Sequence, residues 1–408
     1  MKKTLLSIFL AFTAATALPA QEQKFTVSGN IEGLEAGDTL RFEQIIMPGW
    51  KTGDCFDIVL KKDGKFRYKG TQAHDQYYSM RYLPVSGDIP VCDRTGKSII
   101  ISDKNHIRLS GTREDIFYCS IDGGIYDEPQ LAEYLSVEDS LGRERGYCRR
   151  KAKEAYAAGD KETASEYEAR FNSFFRDNPG RDRSKALQKK YFDSHPEGTL
   201  YALVEHVLRM DYTPVEDLKS IGEKLSPEAK DSYYGKLFIN RIKEIEAIAP
   251  GNPAPDFTLT FTDGTSATKD DFKGQYLLIY HWGTCPGSMQ IDPEVQDFYR
   301  EYKDSGLSVV GLTASLEHFR SFADGVEPGS SAPELGIDDL KARVTGMLEH
   351  PWKEAETGHP ENQKTADTFM ISGLPYFLFI GPDGTILAKD FQPAFYHAKE
   401  TLQKTVGK

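Results

Sequence analysis

The sequence has few cysteines and no motif that pairs them closely. Its five cysteines include no Cys-x-x-Cys, and its nine histidines are scattered without a His-x-x-x-His spacing. The usual sequence signatures of a zinc site are therefore missing. A glycine-rich phosphate loop before a helix and a Gly-x-Ser-x-Gly elbow are also absent, which argues against nucleotide binding and serine-hydrolase chemistry. We expect no cofactor and no metal ion.

Basic residues are outnumbered by acidic ones. The 408-residue chain has 62 Asp and Glu against 50 Lys and Arg, for a net charge of −12. Nucleic-acid binding needs a basic surface, so no nucleic-acid partner is expected. Apolar residues make up 39% of the chain, which is typical of a folded soluble protein and, at this length, of two or three domains.

Only one long apolar run occurs, and it lies at the N-terminus. Two lysines precede an apolar stretch from Leu5 to about Ala17, and the small residue Ala20 comes directly before polar residues. This order is typical of a secretory signal peptide, here residues 1–20, and the run is short for a membrane anchor. Because no cysteine lies near the cleavage point, we expect an exported, soluble periplasmic protein rather than a lipoprotein.

Export implies an oxidising compartment, in which disulfides persist. An odd number of cysteines leaves at least one thiol unpaired within the chain. Pairing among Cys55, Cys92, Cys119 and Cys148, with Cys55 and Cys92 as one candidate pair, would leave Cys285 free. The alternative is that all five are reduced or buried.

Three segments with different residue patterns follow the signal peptide. Residues 21–118 alternate apolar and polar residues in short runs, which predicts an all-β sandwich with a hairpin turn at Asp63-Gly64. Residues 119–250 are charged stretches with apolar residues at helical spacing, which predicts a helical segment. Residues 251–408 alternate strand and helix patterns, which predicts an α/β domain.

Within the α/β domain, strands are expected at "FTLTF", "YLLIYHW", "LSVVGLTA", "YFLFIG" and "TILAKD". Helical patterns occupy residues 293–303, 316–323 and 338–349. Residues 325–364 form either an inserted loop or a partly helical crossover.

The α/β segment resembles a known family. "NPAPDFTLTFTDGTSATKDDFKGQYLLIYHWGTC" is similar to the opening of the TlpA/ResA-like (AhpC/TSA-type) branch of the thioredoxin superfamily, and "SGLPYFLFIGPDGTIL" is similar to its later segment. The resemblance implies a thioredoxin-like fold and thiol-disulfide chemistry for residues 251–408. The N-terminal half resembles β domains of unknown function that precede such domains in secreted bacterial proteins.

Members of this family carry a Cys-x-x-Cys pair, whereas this chain has Cys285-Pro-Gly-Ser288. Pro293 follows Cys285 by eight residues, the spacing that the family keeps after its attacking cysteine. The resemblance therefore gives Cys285 the attacking position and makes Ser288 the replacement of the resolving cysteine. A cysteine at a helix N-terminus meets unpaired backbone N–H groups, which stabilise the thiolate that attacks disulfides. The Ser288 hydroxyl can donate a hydrogen bond to that thiolate.

A serine cannot release a mixed disulfide. An external thiol reductant, a membrane redox partner or a second cysteine of the bound protein must complete the exchange. The sequence therefore predicts monothiol exchange or isomerisation on exported proteins that bear thiols or disulfides.

Four other positions bear on the site. Trp282 is expected to shape the surface around the thiol, and Leu374-Pro375 resembles the family's cis-proline step, which pairs with the substrate backbone. Tyr280 occupies the position of a buried acid that assists the resolving cysteine in thioredoxins. His281 is expected to be a packed core histidine rather than a base.

Two other functions stay open. A binding or scaffolding protein that keeps the fold without catalysis would fit the missing second cysteine and the large N-terminal half. A peroxiredoxin-like peroxidase shares the fold, but its P-x-x-x-[TS]-x-x-C motif needs Pro and Thr or Ser where this chain has Leu278 and Trp282.

Overall fold

The computed structural model describes residues 22–47, 51–102, 105–176, 178–210, 213–325, 337–371 and 373–406. By its internal contacts the chain divides into two units, residues 1–204 and residues 205–408. The signal peptide predicted at residues 1–20 lies outside the described residues. None of the described helices is both long and apolar enough to cross a membrane.

The first unit begins with two four-stranded sheets. Their strands are β1 (Gln23–Glu32), β2 (Thr39–Ile46), β3 (Lys51–Val59), β4 (Lys65–Gln72), β5 (Gln76–Leu83), β6 (Lys97–Ile101), β7 (His106–Thr112) and β8 (Ser120–Asp122). One sheet has the order β4-β1-β7-β8 and the other β3-β2-β5-β6. Residues from both sheets, among them Val27, Phe42 and Ile107, form one core because alternate residues of a strand point to the same face. The predicted all-β architecture is confirmed.

The turn predicted at Asp63-Gly64 forms, with one antiparallel bridge between Lys62 and Lys65, but β3 and β4 do not pair as a hairpin. Instead, β3 pairs with β2 and β4 pairs with β1, so the two strands lie in different sheets. The backbone groups around the turn are bonded elsewhere. Leu60 donates its N–H to the Asp38 carbonyl, and Gly64 accepts at its carbonyl from the Ile31 N–H, each at 2.8 Å. These long-range bonds separate the strands that local turn chemistry would pair.

Seven helices follow, with side-chain caps at several N-termini. Asp160, Asn178, Ser226 and Ser232 each accept a hydrogen bond from a backbone N–H of the first turn, which satisfies groups that have no partner inside the helix. The helices are α1 (Pro129–Ala157), α2 (Lys161–Ser173), α3 (Pro179–Ser194), α4 (Leu200–Arg209), α5 (Val215–Lys224), α6 (Pro227–Asp231) and α7 (Tyr233–Ala247). The division between the units falls within α4, and the domain boundaries predicted at residues 118 and 250 remain predictions.

The last part of the chain is an α/β domain built on a five-stranded sheet of order β13-β12-β11-β14-β15. The predicted fold class, an α/β domain preceded by β and helical segments, is confirmed. A short antiparallel pair, β9 with β10, comes before the sheet. The elements are β9 (Thr258–Thr260), β10 (Ser266–Thr268), β11 (Tyr276–His281), α8 (Pro286–Tyr302), β12 (Leu307–Thr313), α9 (Leu316–Gly325), α10 (Ile337–Leu348), β13 (Lys353–Glu356), α11 (Pro360–Phe369), β14 (Tyr376–Ile380), β15 (Ile386–Asp390) and α12 (Gln392–Val406).

The central strand β11 decides which side chains lie under α8. It runs parallel to β12 and antiparallel to β14. Leu278 and Tyr280 face the core that α8 and α12 cover, whereas Leu277 and Ile279 face the core on the other side, with α11. Trp282 continues this alternation onto the α8 side.

The crossover at residues 325–364 contains more regular structure than the sequence pattern indicates. Its described part holds α10, the edge strand β13 and the start of α11. β13 pairs in parallel with β12, from Val310 opposite Lys353 to Thr313 opposite Glu356. A strand of four residues is too short to produce a visible alternation, so only its pairing reveals it.

All five cysteines are described, and all are free thiols. The candidate pair Cys55 and Cys92 is therefore not formed, and neither is any other pair among the four N-terminal cysteines. Cys119 and Cys148 are buried, Cys55 is exposed, and Cys92 and Cys285 are half-buried. Buried cysteines of this kind behave as small apolar residues.

A buried ion pair joins β6 to α1. Lys97 Nζ donates to both carboxylate oxygens of Asp139, at 2.7 and 2.9 Å, and both residues are less than 9% exposed. Burial raises the pKa of Asp139, although Lys97 acts in the opposite direction. Burying the pair costs desolvation free energy. Removing either partner would destabilise the fold more, because the other charge would stay buried without a counter-ion.

Replacement of Asp139 by Asn should lower the free energy of unfolding of the first unit by about 3–5 kcal/mol, because Lys97 keeps a buried charge without its counter-ion. Urea unfolding followed by circular dichroism measures this change in the free energy of unfolding. The double replacement Lys97→Met with Asp139→Leu should recover most of the loss. The control Asp193→Asn breaks an exposed pair with Lys189 and should change stability by less than about 0.5 kcal/mol. A loss in Asp139→Asn no larger than in the control contradicts the argument.

Candidate functional site

Cys285 caps the N-terminus of α8. Its Sγ accepts a hydrogen bond from the Ser288 N–H at 3.4 Å, and Pro286 occupies the first helical position, where a missing N–H costs nothing. The helix therefore begins seven residues before the pattern at Pro293 that predicted it, and Pro293 lies inside it. A sulfur in this place faces the positive end of the helix dipole, which favours a negative charge.

Ser288 lies directly beneath the thiol. Its hydroxyl oxygen is 3.3 Å from Cys285 Sγ and accepts a hydrogen bond from the Gly283 N–H, also at 3.3 Å. The Cys285 thiol donates to this oxygen; once the thiol is deprotonated, the hydroxyl can donate instead. Ser288 is fully buried, so it holds the loop together but cannot itself meet a substrate.

Leu374 and Pro375 lie against Gly283 and Gly287, which stand on either side of Cys285 in the chain. The Leu374-Pro375 peptide bond is cis, as predicted. A Cβ added to Gly287 would lie 3.1 Å from Pro375 Cδ, which shows how closely this step approaches the first turn of α8. Leu374 is 40% exposed, unusual for a leucine, and a Cβ added to Gly283 would lie 2.8 Å from its Cδ1, so it offers an apolar surface next to the loop that carries Cys285.

Trp282 does not shape the surface around the thiol, as its place in the sequence suggested. It is 1% exposed, because it directly follows β11 on the face that α8 covers. Its backbone N–H donates to the Leu312 carbonyl, and its carbonyl accepts from Thr313 Oγ1, both at 3.0 Å. Trp282 therefore supports the Cys285 loop from below.

The indole of Trp282 is hydrogen-bonded to a buried cluster of ionisable residues that the sequence pattern does not reveal. Trp282 Nε1 donates to Glu354 Oε2 at 2.9 Å. His350 lies between two carboxylates, with Nδ1 at 2.7 Å from Glu354 Oε1 and Nε2 at 2.7 Å from Asp292 Oδ1. We call Asp292, His350 and Glu354 the buried triad.

The charges of the buried triad depend on one another. Glu354 also accepts from Trp352 Nε1 at 2.9 Å, and Asp292 accepts from Gln296 Nε2 at 2.8 Å. The side chain of His350 has no exposed surface. Burial lowers the pKa of His350, but the bonds to Asp292 and Glu354 outweigh it and raise this pKa to about 8. Burial raises the pKa of Glu354, and its three donors oppose that shift.

Tyr280 and His281 have ordinary structural roles. Burial raises the pKa of Tyr280 well above its usual range, so its phenol stays neutral. Tyr280 thus supplies no acid, but Asp292 and Glu354 bring two carboxylates to the same core from α8 and β13. His281 bonds through Nδ1 to the Gly373 carbonyl at 2.7 Å, and burial lowers its pKa. This agrees with a packed core histidine.

Comparison with known proteins shows what the C-terminal part of the chain is similar to. Residues 250–388 match the AhpC/TSA family. The thiol-disulfide oxidoreductase ResA of Bacillus cereus is 31% identical over 79 residues, which cover 19% of this chain and 46% of that protein. ResA of Oceanobacillus iheyensis is 26% identical over 141 residues, 33% of this chain and 62% of that protein. Each match spans less than two thirds of the relative.

The C-terminal domain is similar to TlpA/ResA-like thioredoxin-fold proteins. Among solved structures, the thioredoxin domain of a thiol-disulfide oxidoreductase from Bacteroides vulgatus is 22% identical, with a TM-score of 0.28, over 38% of this chain and 96% of that domain.

The C-terminal domain brings together residues that the sequence predicted and residues that it did not. Cys285, Ser288 and Pro375 meet at the N-terminus of α8, and Trp282 lies below them. Asp292 is 58 residues from His350 along the chain, so no short motif announces the buried triad. The only local signal is "HPWKE" at residues 350–354, where a histidine and a glutamate flank a tryptophan.

Replacement of Ser288 by Ala should lower the free energy of unfolding by about 1–3 kcal/mol, because the buried Gly283 N–H loses its acceptor. It should also slow alkylation of Cys285 at neutral pH, since the thiolate loses a donor. Chemical unfolding and iodoacetamide kinetics measure the two effects. Ser308→Ala removes an exposed hydroxyl bonded to Gln275 and should change neither. Unchanged stability in Ser288→Ala would contradict the bond to Gly283.

Proposed function

We propose that the protein performs monothiol disulfide exchange through Cys285. The observation that carries the proposal is the half-buried thiol at the N-cap of α8, bonded to the Ser288 N–H, with Pro375 against Gly287 in the same first turn. The family supports this chemistry because the relatives are thiol-disulfide oxidoreductases. Ser288 at the resolving position limits the chemistry to one thiol.

The proposed reaction has two steps. The Cys285 thiolate attacks a disulfide of a substrate; one sulfur becomes bonded to Cys285, and the other leaves as a thiolate that takes a proton. An external thiolate then attacks the mixed disulfide, regenerates the Cys285 thiolate and leaves with the substrate sulfur. No net electrons pass to the protein, which suits isomerisation or the removal of small-thiol adducts. Leu374 and Pro375 would hold the substrate backbone beside the sulfur.

The proposed substrates are proteins with thiols or disulfides outside the cytoplasm. Residues 1–20 support export, since they carry the pattern of a signal peptide. Such a substrate class needs a compartment where disulfides persist. N-terminal sequencing of the protein isolated from the cell envelope tests this part, and a mature chain that begins near Gln21 is expected.

Oxidised glutathione should form a mixed disulfide with Cys285 that lasts until an external thiol is added, because Ser288 cannot release it. Peptide mass spectrometry measures the adduct on residues 274–300, which contain no other cysteine. The variant Cys285→Ser should form none there, and the control Cys55→Ser should form it at the wild-type rate. A Cys285 that stays unmodified, or an adduct that leaves without added thiol, argues against the mechanism.

Replacement of Ser288 by Cys should convert the site to dithiol chemistry. The two side-chain atoms are 3.3 Å apart, so a sulfur at position 288 is within reach of Cys285. We expect an internal disulfide after oxidation, loss of the persistent glutathione adduct and faster reduction of insulin. Thiol titration and the insulin turbidity assay measure these changes. A variant that forms no internal disulfide would show that the two positions do not meet in solution.

A binding protein without catalysis is the second candidate. The full burial of Ser288 and the absence of a resolving thiol favour it. In that case Cys285→Ser should bind the same partners as the wild type. Loss of those partners on this substitution would exclude it.

A further inference from the structure

We propose that the buried triad positions Trp282 and makes the reactivity of Cys285 depend on the protonation of His350. The inference deepens the proposed function, on which it rests, because it assigns pH-dependent control to the same site. None of its three residues touches the thiol. They are positioning residues that act through Trp282.

The geometry suits a positively charged His350. Each ring nitrogen is 2.7 Å from a carboxylate oxygen, so in the imidazolium both N–H groups donate to an ionised carboxylate. A neutral imidazole has one donor only and would turn a lone pair toward Asp292 or Glu354. Loss of this proton leaves two buried carboxylates with one fewer donor and no positive charge between them.

Among the described residues, no other basic group forms an ion pair or hydrogen bond with His350, Asp292 or Glu354. The groups that face it are Asp292 from α8, Glu354 from β13 and the neutral phenol of Tyr280 from β11. The remaining neighbours are the rings of Trp282 and Trp352, with centroids 4.9 and 4.4 Å away. His350 is therefore the single titrating base among the described residues that pack around it.

The Glu354 carboxylate occupies the space that a side chain at position 311 would fill, and residue 311 is glycine. A Cβ on Gly311 of β12 would collide with both carboxylate oxygens of Glu354. Glu354 itself is 9% exposed, although it carries an ionisable group. A charged group held in so tight a space keeps its position only while its hydrogen-bond donors remain.

A short series of contacts connects the triad to the thiol. Glu354 holds the Trp282 indole, and Gly283 follows Trp282 directly in the chain. The Gly283 N–H donates to the Ser288 hydroxyl, which lies 3.3 Å from Cys285 Sγ. A shift of Trp282 thus moves the donor that orients Ser288 toward the sulfur.

The protonation state of His350 decides in which direction pH changes the hold on Trp282. Its pKa in the folded protein, about 8, lies above the ordinary value of 6.5. The triad is therefore fully formed below about pH 6.5 and loses its central charge as the pH rises through 8. Trp282 is held firmly at neutral pH and less firmly in alkali.

The test compares alkylation of Cys285 by iodoacetamide in the wild type and in His350→Gln between pH 6 and pH 10, with the adduct measured on residues 274–300. The wild type should react roughly three- to tenfold faster near pH 7, and the ratio should fall toward one as the pH passes 8. The control His397→Gln changes an exposed histidine on α12 and should give a ratio of one throughout. A ratio that does not change with pH would mean a structural effect only, and it overturns the proposal.

A second measurement does not depend on whether His350→Gln folds. The chain has three tryptophans, and Trp282 and Trp352 both donate to Glu354. In Trp50→Phe, the remaining fluorescence should change with a midpoint near pH 8. Adding Trp282→Phe should remove the extra pH dependence of Cys285 alkylation, since that ring cannot bond to Glu354. Fluorescence that stays constant from pH 7 to pH 9 contradicts the proposal.

These outcomes separate the inference from the function on which it rests. Alkylation and fluorescence report on the thiol and the triad without any disulfide substrate. If Cys285 fails to exchange with oxidised glutathione but the pH-dependent ratio appears, the exchange proposal fails and the coupling stands. If exchange occurs but the ratio is flat, the coupling fails alone.

Discussion

The carboxylate of Glu354 is the anchor on which the site depends. It accepts hydrogen bonds from His350, Trp282 and Trp352, and thereby joins the end of β11 to the edge strand β13 and the segment before it. A buried carboxylate needs such partners, since an unpaired charge in a protein core costs several kcal/mol. The demand for partners fixes Trp282, and Trp282 in turn fixes the loop that carries Cys285.

The chemistry above this anchor is simple and local. One helix N-terminus supplies backbone N–H groups, one serine supplies a hydroxyl, and one cis-proline step lies against Gly287, two residues after Cys285. Nothing at this position can release a mixed disulfide. In the proposed exchange a partner's thiol would therefore complete the reaction, and the proposed pH response would come from buried groups rather than from the thiol's own neighbours.

The N-terminal half shows the same contrast between local and long-range forces. Alternation of apolar residues was enough to predict β strands, but Asp63-Gly64 did not make the hairpin that its turn chemistry favours. Bonds of Leu60 and Gly64 to distant backbone groups sent β3 and β4 to different sheets. Local turn preference amounts to little when several long-range hydrogen bonds oppose it.

The sequence by itself determined what depends on neighbours in the chain: the succession of β, helical and α/β segments, the family resemblance, and the place of Cys285, Ser288 and Pro375. Periodicity and helix-capping chemistry act over a few residues and can be read directly. Only the tertiary structure decided that Trp282 is buried and that Asp292, His350 and Glu354 meet beneath it. A buried charge is stable only beside its partners, and those partners come from segments that folding alone brings together.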